Sequence, residues 1–553
     1  MFSLDYFLPQ LPLISLFLIP VIGGFLGIRY ILLRSPIHYQ QGTLGYSPWR
    51  VAVNMTLVSL PPFAFWCLMV RGPCALFYPI GACVSLLFCS STIAQILHYI
   101  PSPCISSYAQ LRFHSMSLRR FILLLHGVLC LLSGLLLLLS MSSLILSITS
   151  YSPYILIPLL GYFSLFDNIF SGHSSMMTFL LIARLICISS GIAIFGFISL
   201  REVASFSSLV PLHFSISQAT LSFFVGFIFS FYLFNSPIFY SIYAPLPTIH
   251  KLRLSISLHA VFLLFGSTIV FLLISLYFSY LTQRCPHNLS TTNVILGFLR
   301  AHSSSSPTVI FGFIASISLV LQSSFEWHLH AFVSHLWEEI FSFRLRIRSH
   351  QNQLCTLQFA LLTSTTALIG VALGWRLLGF PLKLYLPSLA IIIILIGSVL
   401  SASILVGYVF AQVNSKGVFA ASFLSLLFLF SLTYLHFTHN NLPVIPSSCR
   451  SLYQNITSFR FSNREGLISI LSSFPLPTHA VILFVMCILF STFISFLTGG
   501  EDEMSLDWNL LAFPSLSLPS ASPSPLKRVI PFASTDSFRN AYLRSFPQSS
   551  TIH

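Results

Sequence analysis

From residue 10 to residue 498 the chain is a succession of apolar runs, separated by short stretches in which arginine, serine and proline collect. The runs lie near 10–33, 51–70, 74–99, 120–147, 151–166, 175–200, 204–234, 254–281, 308–325, 357–380, 386–411, 417–437 and 478–498. A helix needs roughly 20 predominantly apolar residues to cross a bilayer, and most of these runs reach or approach that length. The run at 204–234 exceeds it, which suits a broken helix or two short ones. The expected fold is all-α: a polytopic transmembrane helical bundle of about 12–15 spans by the length rule, with discontinuous helices. A barrel would show short segments of alternating polarity instead.

Composition agrees with burial in lipid. Charged residues make up 7% of the 553 and hydrophobic residues 55%, against roughly a quarter charged in a soluble domain. Residues 1–500 read as one membrane domain without a soluble insert. Residues 501–553 read as a polar tail rich in Ser and Pro, too poor in apolar surface to fold alone. Such a tail is free or lies against a neighbouring subunit. The aromatic and charged stretch 326–356 reads as an interfacial or connecting helix.

The net charge of +14 comes mainly from arginine, since the lysines are only Lys251, Lys383, Lys416 and Lys527. Arginines gather beside the apolar runs, as at Arg29/Arg34/Arg50, Arg112/Arg119/Arg120 and Arg344/Arg346/Arg348. That is the positive-inside pattern, and it places the N-terminus on the face opposite these clusters. It also argues against nucleic acid as a partner. The opening MFSLDYFLPQ lacks the basic start and cleavage site of a signal peptide, so direct insertion is expected. The 11 cysteines are scattered without a C-x-x-C pair, and neither disulfide nor metal site is expected from their spacing.

Ionisable groups inside apolar runs carry the functional information, because a charge in hydrocarbon costs at least roughly 2.5–3.5 kcal/mol. Four clusters stand out. Asp167 and His173 precede Arg184, and His173 to Arg184 is three helical turns, roughly 16 Å along one face. Arg201 and Glu202 precede His213, Ser215, Ser217 and Gln218. Lys251 and Arg253 precede His259, and Glu326 is followed by His328, His330, His335, Glu338 and Glu339. Each cluster alone fits a snorkelling arginine or an interhelical hydrogen bond. Together, a file of His, Lys/Arg and Glu on successive helices is what a proton path needs. The spacing of His328, His330 and His335 is not the i, i+4 pair of helical zinc sites.

The order LREVASFSSLVPLHFSISQATLSFF, then SLHAVFLLFGSTIV one span later, resembles the antiporter-like subunits of respiratory complex I. Glu202, Ser215, Ser217, Gln218, His259, Ala260, Gly266 and Ser267 take the corresponding places, and SGHSSMMTFLLIAR makes His173 similar to that family's intramembrane histidine. Length and a separate last span look like the NADH dehydrogenase subunit 5 branch. SSFEWHL looks like the subunit 4 branch. The resemblance covers roughly 95–340 as an antiporter-like core, leaving 357–498 as accessory spans. The chain departs from the pattern in having no acid over 121–166 and no lysine after the His-Ala pair.

What the resemblance implies is a proton-translocating subunit of an NADH:ubiquinone reductase. Protons would pass through His173, Arg184, His259 and Glu326. Lys251 would bias the charge of its neighbours, and Glu202 and His213 would be further members. It implies no redox centre in this chain, the assembly supplying FMN, iron-sulfur clusters and ubiquinone. It implies other membrane-arm subunits and membrane lipids, including cardiolipin, as partners, and the mitochondrial inner membrane or another energy-coupling membrane as location. From the residues alone, a free-standing secondary transporter or cation/proton antiporter stands beside it. A multispan transferase would need an aqueous loop domain, which the sequence lacks.

Overall fold

A computed structural model describes residues 11–31, 46–70, 73–100, 106–146, 148–149, 151–172, 179–202, 215–243, 246–283, 307–337, 350–378, 382–439, 476–501, 506–507 and 510–512. Helices account for nearly all of them, and no strand occurs among the described residues. In chain order the helices are α1 (Leu11–Ile31), α2 (Pro48–Met69) and α3, which opens as a 3-10 turn (Pro73–Leu76). α3 continues as α-helix over Phe77–Phe88, widens to a π turn over Cys89–Ile93, and closes over Ala94–Tyr99. Then come α4 (Ser106–Phe113), α5 (Met116–Leu146), α6 (Pro153–Ser171) and α7 (Phe179–Glu202). The second half holds α8 (Ile216–Phe234), α9 (Pro237–Tyr243), α10 (Ile249–Gln283) and α11 (Pro307–Leu336). It ends with α12 (His350–Leu377), α13 (Leu382–Val409), α14 (Ser415–His439) and α15 (Leu476–Leu497).

Ten helices among the described residues are long and apolar enough to cross a membrane, and three shorter apolar stretches lie in α1, α7 and α14. This is a multi-pass membrane protein. Outward-facing Phe25, Ile155, Phe265, Phe359, Phe430 and Phe496 coat the bundle with apolar side chains. In water such a surface would drive association; in lipid it is the solvent-facing layer.

α11 runs through the middle, packed against α1, α2, α5, α7 and α12. Around it α1 pairs with α6, α2 with α10, α3 with α8, and α13 and α14 with α15. Close approach replaces bulk where the pairing is tightest. A Cβ on Gly81 of α3 would collide with the Phe223 carbonyl of α8, and one on Gly226 of α8 with the Tyr78 carbonyl of α3. Small residues at such crossings let backbones touch, as membrane helix packing favours.

One sequence expectation is corrected by the fold. Residues 326–336 are not an interfacial helix but the continuation of α11, with Glu326, Trp327, His328, His330 and His335 buried. The apolar run ends at Glu326 in the sequence, yet the helix continues because a buried partner, described below, neutralises that charge. Of the run 204–234, residues 204–214 lie outside the described residues and α8 is continuous over the rest; a helix break stands at Asn235–Ser236, where α8 stops and α9 begins.

Candidate functional site

The break is capped by its own side chains and by one from α13. Pro237 has no N–H to give and its ring excludes the carbonyl four residues back, so the helix cannot run through it. The Asn235 side-chain amide donates to the Phe231 carbonyl at 2.9 Å, and the Ser236 hydroxyl donates to the Leu233 carbonyl at 2.6 Å. The same hydroxyl accepts from the Phe239 amide at 3.5 Å, so Ser236 caps both the end of α8 and the start of α9. From α13, the Tyr408 hydroxyl donates to Asn235 Oδ1 at 2.9 Å. The break follows the apolar span Ile216–Phe234, and every residue from Ile228 to Tyr243 is buried in protein.

Beside α9, α11 carries a polar seam. Arg184 on α7 meets Glu326 with Nη2 2.5 Å from Oε2, and their side chains are 2% and 0% exposed. Arg184 Nη1 donates to the Ser323 hydroxyl at 3.4 Å, while its Nε, also buried, has no hydrogen-bond partner. Two turns away the Ser316 hydroxyl donates to the Cys187 carbonyl of α7 at 3.0 Å. A Cβ on Gly191 would strike Ser316 and the Gly312 carbonyl, so the α7–α11 crossing has no room for a larger residue. Small side chains thus bring the guanidinium within reach of the carboxylate. On other faces of α11, Gln322 donates to the Leu16 carbonyl of α1 at 3.2 Å, and the Trp327 indole donates to Asn54 Oδ1 of α2 at 3.2 Å.

The predicted site residues separate into four groups. Arg184 and Glu326 are brought together. His259 is fully buried but turned to another contact: its Nε2 lies 3.2 Å from the Ser59 hydroxyl of α2, and its ring meets Phe239 edge-on. Lys251, at the start of α10, is exposed rather than internal. His173 and His213 lie outside the described residues, as does the side chain of Glu202. The three histidines of α11 diverge: His328 Nδ1 is 2.7 Å from the Ser324 carbonyl, His330 lies edge-on to Trp327, and His335 edge-on to His126 of α5. Among the described residues no group of three metal-ligating side chains converges. Sequence reading missed His126, Asn235 and Tyr408; Pro237, the first residue of α9, was the signal for the break.

No protein-family model matches the chain, and no curated protein matches it. Solved structures do match in fold. A Na+-coupled sialic acid symporter, substrate-bound and outward-open, aligns with a TM-score of 0.68 and 13% identity over 90% of this chain and 99% of its own. Mhp1, a nucleobase-cation-symport-1 family transporter closed around bromovinylhydantoin, aligns at 0.49 and 10% identity over 84% and 95%. A manganese transporter mutant from Eremococcus coleocola aligns at 0.41 and 11% identity over 81% and 92%. The first of these carries the argument: the chain has a polytopic helical, transporter-like fold.

This overturns the resemblance to complex I, because the structure that matches over the whole length is a symporter rather than a subunit of that complex. The subunit 5 and subunit 4 comparisons fall, and with them the NADH:ubiquinone reductase label, the membrane-arm partners and the respiratory role. The mitochondrial inner membrane rested on the same resemblance and has no support. The physical reason is compositional. Short Ser-, Phe- and Leu-rich motifs recur by chance in any chain of lipid-facing helices, and 55 of these residues are phenylalanine. Lipid remains the partner that the exposed apolar faces favour.

Proposed function

We propose that the chain is a free-standing secondary transporter that moves a small polar solute across the membrane against a cation or proton gradient. The observation that carries this reading is the buried helix interruption at Asn235–Ser236, set against the α11 seam. Discontinuous helices are where such carriers hold solute and coupling ion, with half-helix ends aimed at the bound groups. The whole-length likeness in fold to a Na+-coupled symporter supports it. The buried Arg184–Glu326 pair supports it too, since intramembrane charges mark ion and solute pathways. The reading keeps the expectation that the chain uses no cofactor of its own.

The test is uptake into proteoliposomes holding the purified full chain, under an inward Na+ or H+ gradient. The panel of labelled small solutes includes sialic acid, the solute of the matching symporter. Gradient-dependent accumulation of one or more, lost when the gradient is collapsed, is the expected result. No gradient-dependent uptake across the panel, or purification only within a large NADH-oxidising assembly, would sink it.

A further inference from the structure

We propose that the facing sides of α9 and α10 bind an uncharged solute, which donates a hydrogen bond from an N–H or O–H group to the bare Nδ1 of His259. The proposal rests on the transporter reading and names its solute class. Its first support is the tautomer of that histidine. The Ser59 hydroxyl donates its one hydrogen to the Met55 carbonyl at 2.9 Å. It can therefore only accept from His259 Nε2, 3.2 Å away. The proton of the neutral ring is on Nε2, and Nδ1 carries a lone pair. That nitrogen is buried and has no hydrogen-bond partner, in a residue 0% exposed. An acceptor shut away from water without a donor is costly, and a solute that supplies the donor removes the cost.

Its second support is where that lone pair stands. Phe239, whose amide Ser236 caps at the helix break, meets the His259 ring edge-on with centroids 5.4 Å apart. One turn further along α9, Tyr243 Oη is buried without a hydrogen-bond partner, and one turn back along α10 so is Ser255 Oγ. A spacing of four keeps each on the same helix face as its neighbour. Both lie on the side of the Phe239–His259 contact nearer the connection between the two helices. Tyr243 also stacks on Phe234, the last residue of α8, at 5.6 Å. Charge sets the solute class. Residues 215–243 and 73–99, which hold α8, α9 and α3, contain no Asp, Glu, Lys or Arg. On α10, Lys251 is exposed and Arg253 reaches the Ser91 carbonyl at 3.5 Å. On α11, Glu326 is engaged by Arg184. An ion bound between α9 and α10 would shed its water and meet no opposite charge, at far greater cost than a neutral polar group. Hydroxyls donate or accept, whereas Nδ1 only accepts, so the fitting solute is neutral and carries at least one donor.

The experiment uses the full chain in detergent, its histidines labelled with nitrogen-15. Acetamide and mannitol are the uncharged probes, acetate and tetramethylammonium the charged ones. The bare nitrogen of a neutral imidazole has its own resonance, which moves when it accepts a hydrogen bond. His259→Asn removes that signal and so assigns it; where this variant fails to fold, Ser59→Ala assigns it by taking away the partner of Nε2. The expected result is a saturable shift of the His259 signal with acetamide or mannitol and none with either ion. Equilibrium dialysis should show N,N-dimethylacetamide, which has no N–H, binding about tenfold more weakly than acetamide, as loss of one buried hydrogen bond requires. His259→Leu should lose the binding by about the same factor, and His259→Asn, whose oxygen can stand in for Nδ1, should recover it. No shift with either uncharged probe, equal binding of the two amides, or a shift produced by either ion overturns the proposal. Gradient-driven solute uptake unchanged in His259→Leu sinks the site and spares the transporter reading. The expected shift and binding without movement of either probe into proteoliposomes sinks that reading and spares the site.

Discussion

At the scale of single residues, the structure turns a list of isolated charges into one pair. Breaking a buried ion pair by removing one partner costs about 3–5 kcal/mol, whereas replacing both members can be close to neutral. Arg184→Gln and Glu326→Gln are therefore each expected to lower thermal stability in detergent by about that much. The double variant should recover most of the loss. Equal and additive losses in the double variant, read from thermal unfolding curves, would show that the two side chains act independently. The sequence made each of these residues conspicuous, because charge inside an apolar run is rare. It did not pair them, since Arg184 and Glu326 are 142 positions apart in the chain and only the α7–α11 crossing closes that gap. Nor did it separate Lys251, which is exposed, from His259, which is not: both sit at the start of one helix, and only the packing of α10 on α2 distinguishes them.

At the scale of elements, the α8–α9 interruption is held by a bond that crosses to another helix. The Tyr408 hydroxyl of α13 donates to Asn235, whose own amide caps α8. Tyr408→Phe deletes that bond and leaves the ring packing intact. Its expected cost is about 0.5–1.5 kcal/mol, the usual net worth of one hydrogen bond. Asn235→Ala additionally strips the Phe231 carbonyl of its side-chain donor and should cost more. Both changes are expected to lower solute uptake while the protein still elutes as a single species. Uptake and melting temperature unchanged in Asn235→Ala would mean the break is inert. The proline that ends α8 was visible in the sequence; its tether to α13 was not, because side-chain hydrogen bonds across a bundle leave no periodic trace. Similarly, α11 was cut short in sequence reading at Glu326, although the helix continues to Leu336. A hydropathy rule counts a carboxylate as a membrane boundary, and a buried guanidinium removes the reason for one.

At the scale of the whole molecule, the chain closes on itself. After α15 the backbone turns back: the Glu501 amide donates to the Gln412 carbonyl at 3.0 Å, and the Ala512 amide donates to the Tyr408 carbonyl at 2.8 Å. The Tyr108 hydroxyl of α4 donates to the Leu510 carbonyl at 3.3 Å, and Leu506, Leu510 and Leu511 are buried. The described residues at the start of the tail therefore dock on the chain's own bundle. Arg112 finishes the same corner, donating to the carbonyls of Gly407, Phe410 and Ala411 at the end of α13. Burial holds its pKa below the usual guanidinium value, and Tyr108 and Glu501 push it back up. Full burial of one leucine is worth about 1.5–3 kcal/mol, so a chain ending at Gly500 should melt distinctly lower. It should also be cleaved faster by protease near residues 408–414. An unchanged melting temperature would show that the returning segment contributes nothing.

The sequence by itself determined that the molecule is a bundle of membrane-crossing helices, because length and hydropathy act locally and each apolar run must satisfy its own backbone in lipid. It also determined which residues were too costly to be there without a purpose. Which of those residues meet, which face lipid and which known architecture the helices adopt was decided by tertiary structure alone. The cause is that lipid-facing and protein-facing sides of such helices are chemically alike: without water to distinguish inside from outside, no apolar periodicity encodes how the helices are arranged.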